Sequence, residues 1–311
     1  MEENDSSNLN NDLGLGSKAT AGNFRTLNHD GTFNVRKINV PFYERVNFFH
    51  SLITMSWLRF FVLVVLGYLF INTLFASIYV AIGVEHLTGV QKASEMGKFM
   101  EAFFFSAQTI TTLGYGRVAP VGMAANVVAA IESMLGLLTF ALATGLLYGR
   151  FSKPNAKIKF SNQALVAPYR GINGFMFRLI NPQDNQLMEV EVTLSVSMKR
   201  ENSTLRDFHL LDLERSKVVF FTTVWTVVHP INEESPLYGL TEETALKKDL
   251  EFFVMIKAFD ESFSQTVYSR TSYKAQEMEW GEKFLYTIKQ EKKGIIVDVD
   301  LLSQTEKAPL N

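Results

Sequence analysis

A chain of 311 residues that is 47% hydrophobic yet 20% charged has room for one membrane unit and one water-facing domain, but is too polar to lie in a bilayer throughout. Its formal net charge of -2 offers no general attraction for nucleic acid, and the zinc and recognition-helix spacings of nucleic-acid modules are absent from the sequence. With no cysteine, disulfide frameworks, thiolate metal sites and cysteine nucleophiles are excluded together.

The chain opens on a stretch rich in Asn, Ser and Gly with no apolar core, which reads as neither a signal peptide nor a folded element. Residues 1–34 are therefore expected to be a disordered cytoplasmic tail. In the next segment, 35–56, Pro41 can begin a helix that puts Phe42, Val46, Phe49, Ile53 and Trp57 on one face. Joined directly to an apolar run, that pattern suits a helix lying on a membrane surface, the alternative being a soluble core helix.

The apolar run 57–84 exceeds the roughly 20 residues needed to cross a bilayer. A second run, 121–150, carries Glu132 as its one charge before Arg150 and many small residues, as close helix contact requires. Two spans place both termini on one side. Arg36, Lys37, Arg45 and Arg59 stand before or at the start of the first span, and Arg150, Lys153, Lys157 and Lys159 at or after the end of the second. By the positive-inside bias that side is the cytoplasm, which makes this a multi-pass protein of the cell membrane. An acid in a span costs about 2.5–3.5 kcal/mol against lipid, so Glu132 is expected to face protein or water, for hydrogen bonding or to attract ions.

Between the spans, residues 98–110 are too few to cross but suit a re-entrant helix that runs into Thr111-Thr112-Leu113-Gly114-Tyr115-Gly116. Irregular backbone at membrane depth survives only when buried in protein or lining a wet cavity. Stacked backbone carbonyls can replace the water shell of an ion, and aiming them at one axis needs backbone angles that Gly114 and Gly116 reach most readily. Thr112 adds a hydroxyl, and Tyr115 can brace the strand from behind. The segment is close to the sequence that lines potassium-selective pores, which makes 111–116 a selectivity filter with K+ held by the carbonyls of Thr112, Leu113, Gly114, Tyr115 and Gly116 and by the Thr112 hydroxyl. One chain supplies a quarter of such a ring, so a homotetramer is expected. Residues 57–152 form the pore domain on this reading.

Beyond it, 187–198 alternates with period two as a half-buried strand does, and 218–228, 252–258 and 295–299 are further β-rich runs. Turn residues such as those at 181–185 separate them. Many short strands with little helix predict an antiparallel β-sandwich over 153–300, followed by a tail, 301–311.

Taken in this order, surface helix, span, pore loop and span resemble the inward-rectifier potassium channels, most closely their prokaryotic members. Met55-Ser56-Trp57 is similar to that family's junction at the first span. The stretch from His229 to Tyr238 resembles its His-x-Ile-Asp-Glu-x-Ser-Pro-Leu-Tyr signature, with Asn232 in the Asp place, and Arg270-Thr271-Ser272-Tyr273 with Trp280-Gly281 resembles another. The similarity covers about residues 36–295.

The resemblance implies an immunoglobulin-like sandwich whose four copies prolong the conduction path, and no cofactor beyond K+ as permeant ion. It sets Tyr148 where the second helices converge as a gate, an interfacial anchor being the alternative. Independently of the resemblance, Gly136 and Gly145 are candidate bend points, since glycines are costly in a helix, with small-residue packing as the alternative. The resemblance implies an anionic-lipid or phosphoinositide site among Arg45, Arg59, Arg150, Lys153, Lys157 and Lys159, inhibitory in the prokaryotic branch, where topology alone would also explain the charges. The acidic rectification controller aligns with Phe140, and a further pore acid with Lys257, so weak rectification is expected. Leu113 holds a place usually given to Val or Ile. Gln108 stands where the family often has a Glu, which leaves Arg117 without that partner. Two rival readings are a poorly selective monovalent cation channel, supported by Leu113, and a two-span receptor that displays a β-sandwich, which leaves the re-entrant segment without purpose. An enzyme finds no nucleophile, base or metal cluster at a workable spacing.

Overall fold

The computed structural model describes residues 14, 24–41, 47–90, 94–152, 157–201, 203 and 205–311. The chain divides into two units, 38–153 and a second made of 1–37 with 154–311.

In the first unit α1 (Phe48–Thr54) starts on Asn47, whose side chain accepts from the His50 N–H at 3.0 Å. It stops at Met55 and Ser56, both extended, and the chain restarts as α2 (Trp57–Ile82). Trp57 therefore belongs to a different helix from Phe49 and Ile53, contrary to the single amphipathic helix expected, because the extended corner re-aims the backbone. Phe42 and Val46 lie outside the described residues. At about 1.5 Å per residue, the 26 residues of α2 and the 30 of α4 (Gly122–Phe151) each exceed the roughly 30 Å of a bilayer core. The two helices are long and apolar enough to cross a membrane. Gly83 ends α2 two residues before the expected boundary, and α3 (Glu95–Ile110) begins three residues earlier than expected. Ser94 explains the early start: its hydroxyl accepts from the Gly97 N–H, and Glu95 faces the positive end of the helix dipole. Short strands β1 (Leu87–Thr88) and β2 (Ala119–Pro120) pair antiparallel and tie the loops on either side of α3.

The second unit is a β-sandwich, as expected. One sheet runs β11 (Gln265–Lys274), β10 (Glu251–Asp260), β6 (Leu187–Lys199), β7 (Arg206–Leu211), with β8 (Lys217–Phe221) on the other half of β6. The other runs β12 (Met278–Trp280), β4 (Ala164–Tyr169), β5 (Ile172–Ile180), β3 (Lys159–Phe160), with β9 (Trp225–Ile231) on β5. All pairs are antiparallel except β12 on β4. Alternation decides what is buried: Val190, Val192, Leu194 and Val196 of β6 and Phe252, Val254 and Ile256 of β10 meet Phe175, Phe177 and Leu179 of β5. The Phe175 and Phe252 rings stack at 4.0 Å. The run 218–228 is broken in two, β8 and β9, by a turn.

Both ends of this unit overturn the expected boundaries. Residues 24–34 are not a disordered tail. Arg25 grips Glu277 with two hydrogen bonds of 2.6 and 3.0 Å, and the backbone N–H groups of Thr26 and Leu27 donate to the buried Glu251 carboxylate at 2.8 and 3.1 Å. Leu27 is 2% exposed and packs with Phe208 and Phe253. Residues 301–311 are not a tail either. Strand β16 (Thr305–Lys307) pairs with β13 (Glu282–Phe284), Leu302 and Ala308 are buried, and Asn311 exchanges hydrogen bonds with Asn173. A hairpin of β14 (Ile288–Glu291) and β15 (Gly294–Val297) lies between them in sequence, and a short α5 (Glu242–Lys247) joins β9 to β10.

Candidate ion-conduction site

The candidate filter begins where α3 runs out at Thr111. Thr112, Gly114 and Gly116 take φ of 57°, 53° and 80°, so every second residue is left-handed. Glycine at 114 and 116 was expected from this demand; the same geometry at Thr112 was not, since a threonine gives no sign of it. The Leu113 and Gly114 N–H groups both donate to the Gln108 carbonyl, at 2.9 and 3.3 Å, which folds the start of the ribbon back on its helix. The Thr111 hydroxyl donates to the Ala107 carbonyl at 2.6 Å. From Thr111 to Arg117 every residue is exposed in the single chain. Tyr115 is 74% exposed and Leu113 55%, so Tyr115 does not brace the strand within its own chain. Bare irregular backbone of this kind between two membrane helices must meet water or other copies.

Beneath the ribbon, α3 is seated by polar groups that sequence reading only half anticipated. Glu132 on α4 is fully buried, as are Asn72 and Ser106, and Tyr79 is 1% exposed. The Tyr79 hydroxyl donates to one Glu132 carboxyl oxygen at 2.7 Å and the Ser106 hydroxyl bonds the other. The Ser106 oxygen also lies 3.0 Å from the Asn72 amide oxygen, and the Asn72 amide nitrogen donates to the Tyr68 carbonyl at 2.7 Å. Glu132 thus faces protein and joins α2, α3 and α4 in one buried network. Beside it Gly136 leaves no room for a side chain, since a Cβ there would stand 2.1 Å from the Ile110 carbonyl oxygen.

Arg117 has a partner after all: it pairs with Glu101 and reaches toward the Gly89 carbonyl. Glu101 precedes Gln108 by seven residues, two turns of α3, and so shares its face. A cavity of about 790 Å³ beside the candidate filter is lined by Thr112, Gly136 and Phe140 together with Val64, Tyr68 and Ile71. Tyr148, 73% exposed, sits on the last turn of α4, and Gly145 faces open space.

Two family models match, one of an ion channel over residues 63–153 and one of the inward rectifier potassium channel C-terminal domain over 158–311. The chain is 36% identical over 274 residues to the inward rectifier potassium channel Kirbac3.1 of Paramagnetospirillum magnetotacticum, covering 87% of this chain and 91% of that one. The chain belongs to the inward-rectifier potassium channel family. It is also 26% identical to the ATP-sensitive inward rectifier potassium channel 12 of Gallus gallus and 28% identical to inward rectifier potassium channel 4 of Mesocricetus auratus. Those matches cover 69% and 67% of this chain but 53% and 49% of theirs, so it spans about half the length of these two relatives. As an inward-rectifier channel the protein is a membrane protein whose family conducts K+.

The channel's signature stretch is a locked turn. His229 on β9 is buried, with Nδ1 2.6 Å from the Asp212 carbonyl and Nε2 2.7 Å from the Ser235 hydroxyl, whose oxygen accepts from the Leu237 N–H. Burial holds the imidazole below its ordinary pKa, outweighing the Asp212 carbonyl, which pulls the other way. The folded state therefore favours neutral His229. Its contribution is complete above the unfolded value of about 6.5 and declines as pH falls toward the folded value. The unfolding midpoint of the channel is expected to drop on acidification through this window, and the drop to shrink in His229→Gln. A wild-type midpoint flat across the window contradicts this.

The other family positions fall in both units. Lys257 lies on the exposed face of β10, opposite Tyr268 and Glu191. Arg59 is exposed in the first turn of α2, and Lys157 and Lys159 are exposed in the β-sandwich unit. Arg45 and Lys153 lie outside the described residues. Arg150 is turned inward: it donates to the carbonyls of Leu52 and Met55 at 2.5 and 2.7 Å, and its guanidinium carbon stands 4.5 Å from the ring centres of both Trp57 and Phe60.

Proposed function

We propose that four copies of this chain form a potassium-selective pore of the inward-rectifier type in the cell membrane, with both termini and the β-sandwich in the cytoplasm. The observation that carries it is the ribbon 112–116, left-handed at every second residue and exposed along its length in one chain. Four such ribbons around an axis supply the carbonyl rings that replace the hydration shell of K+. The path continues past Phe140 to a ring of Tyr148, which closes it by size and dewetting. Anionic lipid or phosphoinositide drawn to exposed cations such as Arg59 in the first unit biases that ring toward closure, each charge contributing about 1 kcal/mol. With Phe140 and Lys257 where acids would attract polyamines or magnesium, rectification is weak.

Rubidium uptake into liposomes holding the purified protein tests the reading. Barium-sensitive uptake that sodium cannot match is expected. Equal sodium flux would favour a poorly selective cation channel, and absence of flux with and without anionic lipid would favour the receptor. Gly114→Ala is expected to abolish selective uptake. A Cβ at 114 has open space in the chain, so the loss comes from holding alanine at φ 53°, about 1–2 kcal/mol per chain and four times that per ring. Internal spermine is expected to block only weakly with voltage; steep block would refute weak rectification.

A further inference from the structure

We propose that Arg150 is a positioning residue that fastens the end of α4 to the corner between α1 and α2, so that movement of the surface helix reaches Tyr148 through this side chain and not through a headgroup held by Arg150 itself. The inference rests on the reading of Tyr148 as the gate and of anionic lipid as its modulator.

Three observations carry it. First, the guanidinium fork is occupied. Its two terminal nitrogens donate to the carbonyls of Leu52 and Met55, which close the last turn of α1 and the corner after it. Helix carbonyls there lack intrahelical partners and carry the negative end of the dipole, so a cation suits them. Second, the faces of the fork are covered. The Trp57 and Phe60 ring centres both lie 4.5 Å from the guanidinium carbon, and Phe151, the next residue on α4, packs against Trp57 with ring centres 5.1 Å apart and planes tilted by 44°. The Arg150 Nε is buried and makes no hydrogen bond within the chain. Third, Gly149 makes the approach possible. A Cβ at that position would meet the Ile53 Cδ1 at 3.1 Å and the Phe49 Cζ at 4.0 Å, so α1 lies directly on the bare backbone of α4 one residue before the arginine.

A phosphate that reached Arg150 would have to break both carbonyl bonds and leave the end of α1 uncapped. The charge is thus committed within the chain, in contrast to the exposed Arg59. Tyr148 precedes the arginine by two residues on the same helical turn, so a displacement of α1 that pulls on Leu52 and Met55 turns or tilts the gate residue with it.

The test uses full-length wild type, Arg150→Ala, Arg150→Lys and Gly149→Val in phosphatidylcholine vesicles with increasing phosphatidylglycerol. Rubidium uptake, binding of phosphatidylglycerol and hydrogen exchange of the amides at 48–54 are read together. Arg150→Ala is expected to leave lipid binding unchanged, to shift the lipid response of uptake about tenfold and to speed exchange in α1 by about tenfold. Lysine is expected to restore neither, since a single ammonium cannot hold two carbonyls and fill the aromatic slot. Gly149→Val pushes Ile53 away with the guanidinium intact and is expected to give the same shift, so it carries the test if Arg150→Ala fails to assemble. A loss of lipid binding of about fivefold, the share of one basic residue, restored by lysine, would overturn the proposal in favour of headgroup contact. Wild type with no lipid response would remove the modulation reading alone. The exchange data would then decide the clasp: faster exchange in α1 upholds it, and unchanged exchange in both Arg150→Ala and Gly149→Val overturns it.

Discussion

Gly136→Ala is expected to abolish rubidium uptake and to lower the unfolding midpoint together. The added methyl would sit 2.1 Å from the Ile110 carbonyl oxygen and 2.9 Å from its carbon, backbone atoms with no rotamer to yield. Either α4 or the end of α3 must move by about an ångström to restore van der Waals distance. Ile110 is the last residue of α3 and Thr111 leads into the proposed filter, so the displacement is delivered straight to the ribbon 112–116. Overpacking of this kind costs about 1–3 kcal/mol per chain, and in the proposed tetramer every copy repeats it. Gly145→Ala makes the informative contrast. Nothing lies within 4 Å of a Cβ there, so the unfolding midpoint should hold or rise by the better helix propensity of alanine, about 1 kcal/mol. If Gly145 is where α4 bends to open, uptake falls all the same. Flux lost without stability marks a hinge; flux and stability lost together mark packing. An unaltered midpoint and flux in Gly136→Ala would show that α3 is not seated on this glycine.

The contrast also shows where sequence reading reached and where it stopped. The two spans, the re-entrant helix, the ribbon and the sandwich were legible because each imposes a pattern on consecutive residues: long apolar runs, a short one ending in Gly-Tyr-Gly, and period-two alternation. What failed were contacts whose partners lie far apart in the chain. Residues 24–34 look disordered by composition, yet they dock through Arg25 on Glu277 and through backbone N–H groups on Glu251, more than 220 residues away. No local hydrophobic signal announces a segment held by polar bonds to a buried carboxylate. Residues 301–311 failed for the same reason, as their pairing with β13 is invisible in a short polar end. The contacts of Arg150 with Trp57 and Phe60 are invisible for the same reason, since charge bias is read per residue and a ring two helices away is not. Gly136 and Gly145 look alike in sequence, and only the neighbouring Ile110 carbonyl tells them apart.

Glu132→Ala should be as damaging as Gly136→Ala, by a different route. Removing the carboxylate strips the acceptor from two hydroxyls, Tyr79 on α2 and Ser106 on α3, at a depth where both are buried. The Ser106 hydroxyl can turn to the Asn72 amide oxygen at 3.0 Å, but the Tyr79 hydroxyl is left unmet at a cost of about 1–3 kcal/mol per chain, before the space left by the side chain is counted, and the bilayer core offers no water to make up the loss. The damage falls on α3, whose Ser106 is held from one side by Glu132 and stands beside Asn72 on the other. With that seat gone, the helix that carries Thr111 is free to shift, and the unfolding midpoint and rubidium uptake are expected to fall together. Glu132→Gln decides what the carboxylate is for. The amide oxygen can still accept from Tyr79 and its nitrogen can donate to the Ser106 oxygen, so a purely structural role predicts a loss of about 1 kcal/mol and near-normal flux. Were the negative charge needed to draw cations toward the filter, glutamine would leave the midpoint in place and lower uptake as alanine does. The position of Glu132, enclosed by α2, α3 and α4 with no exposed surface, favours the first outcome, because a charge that serves the permeating ion has to face its path.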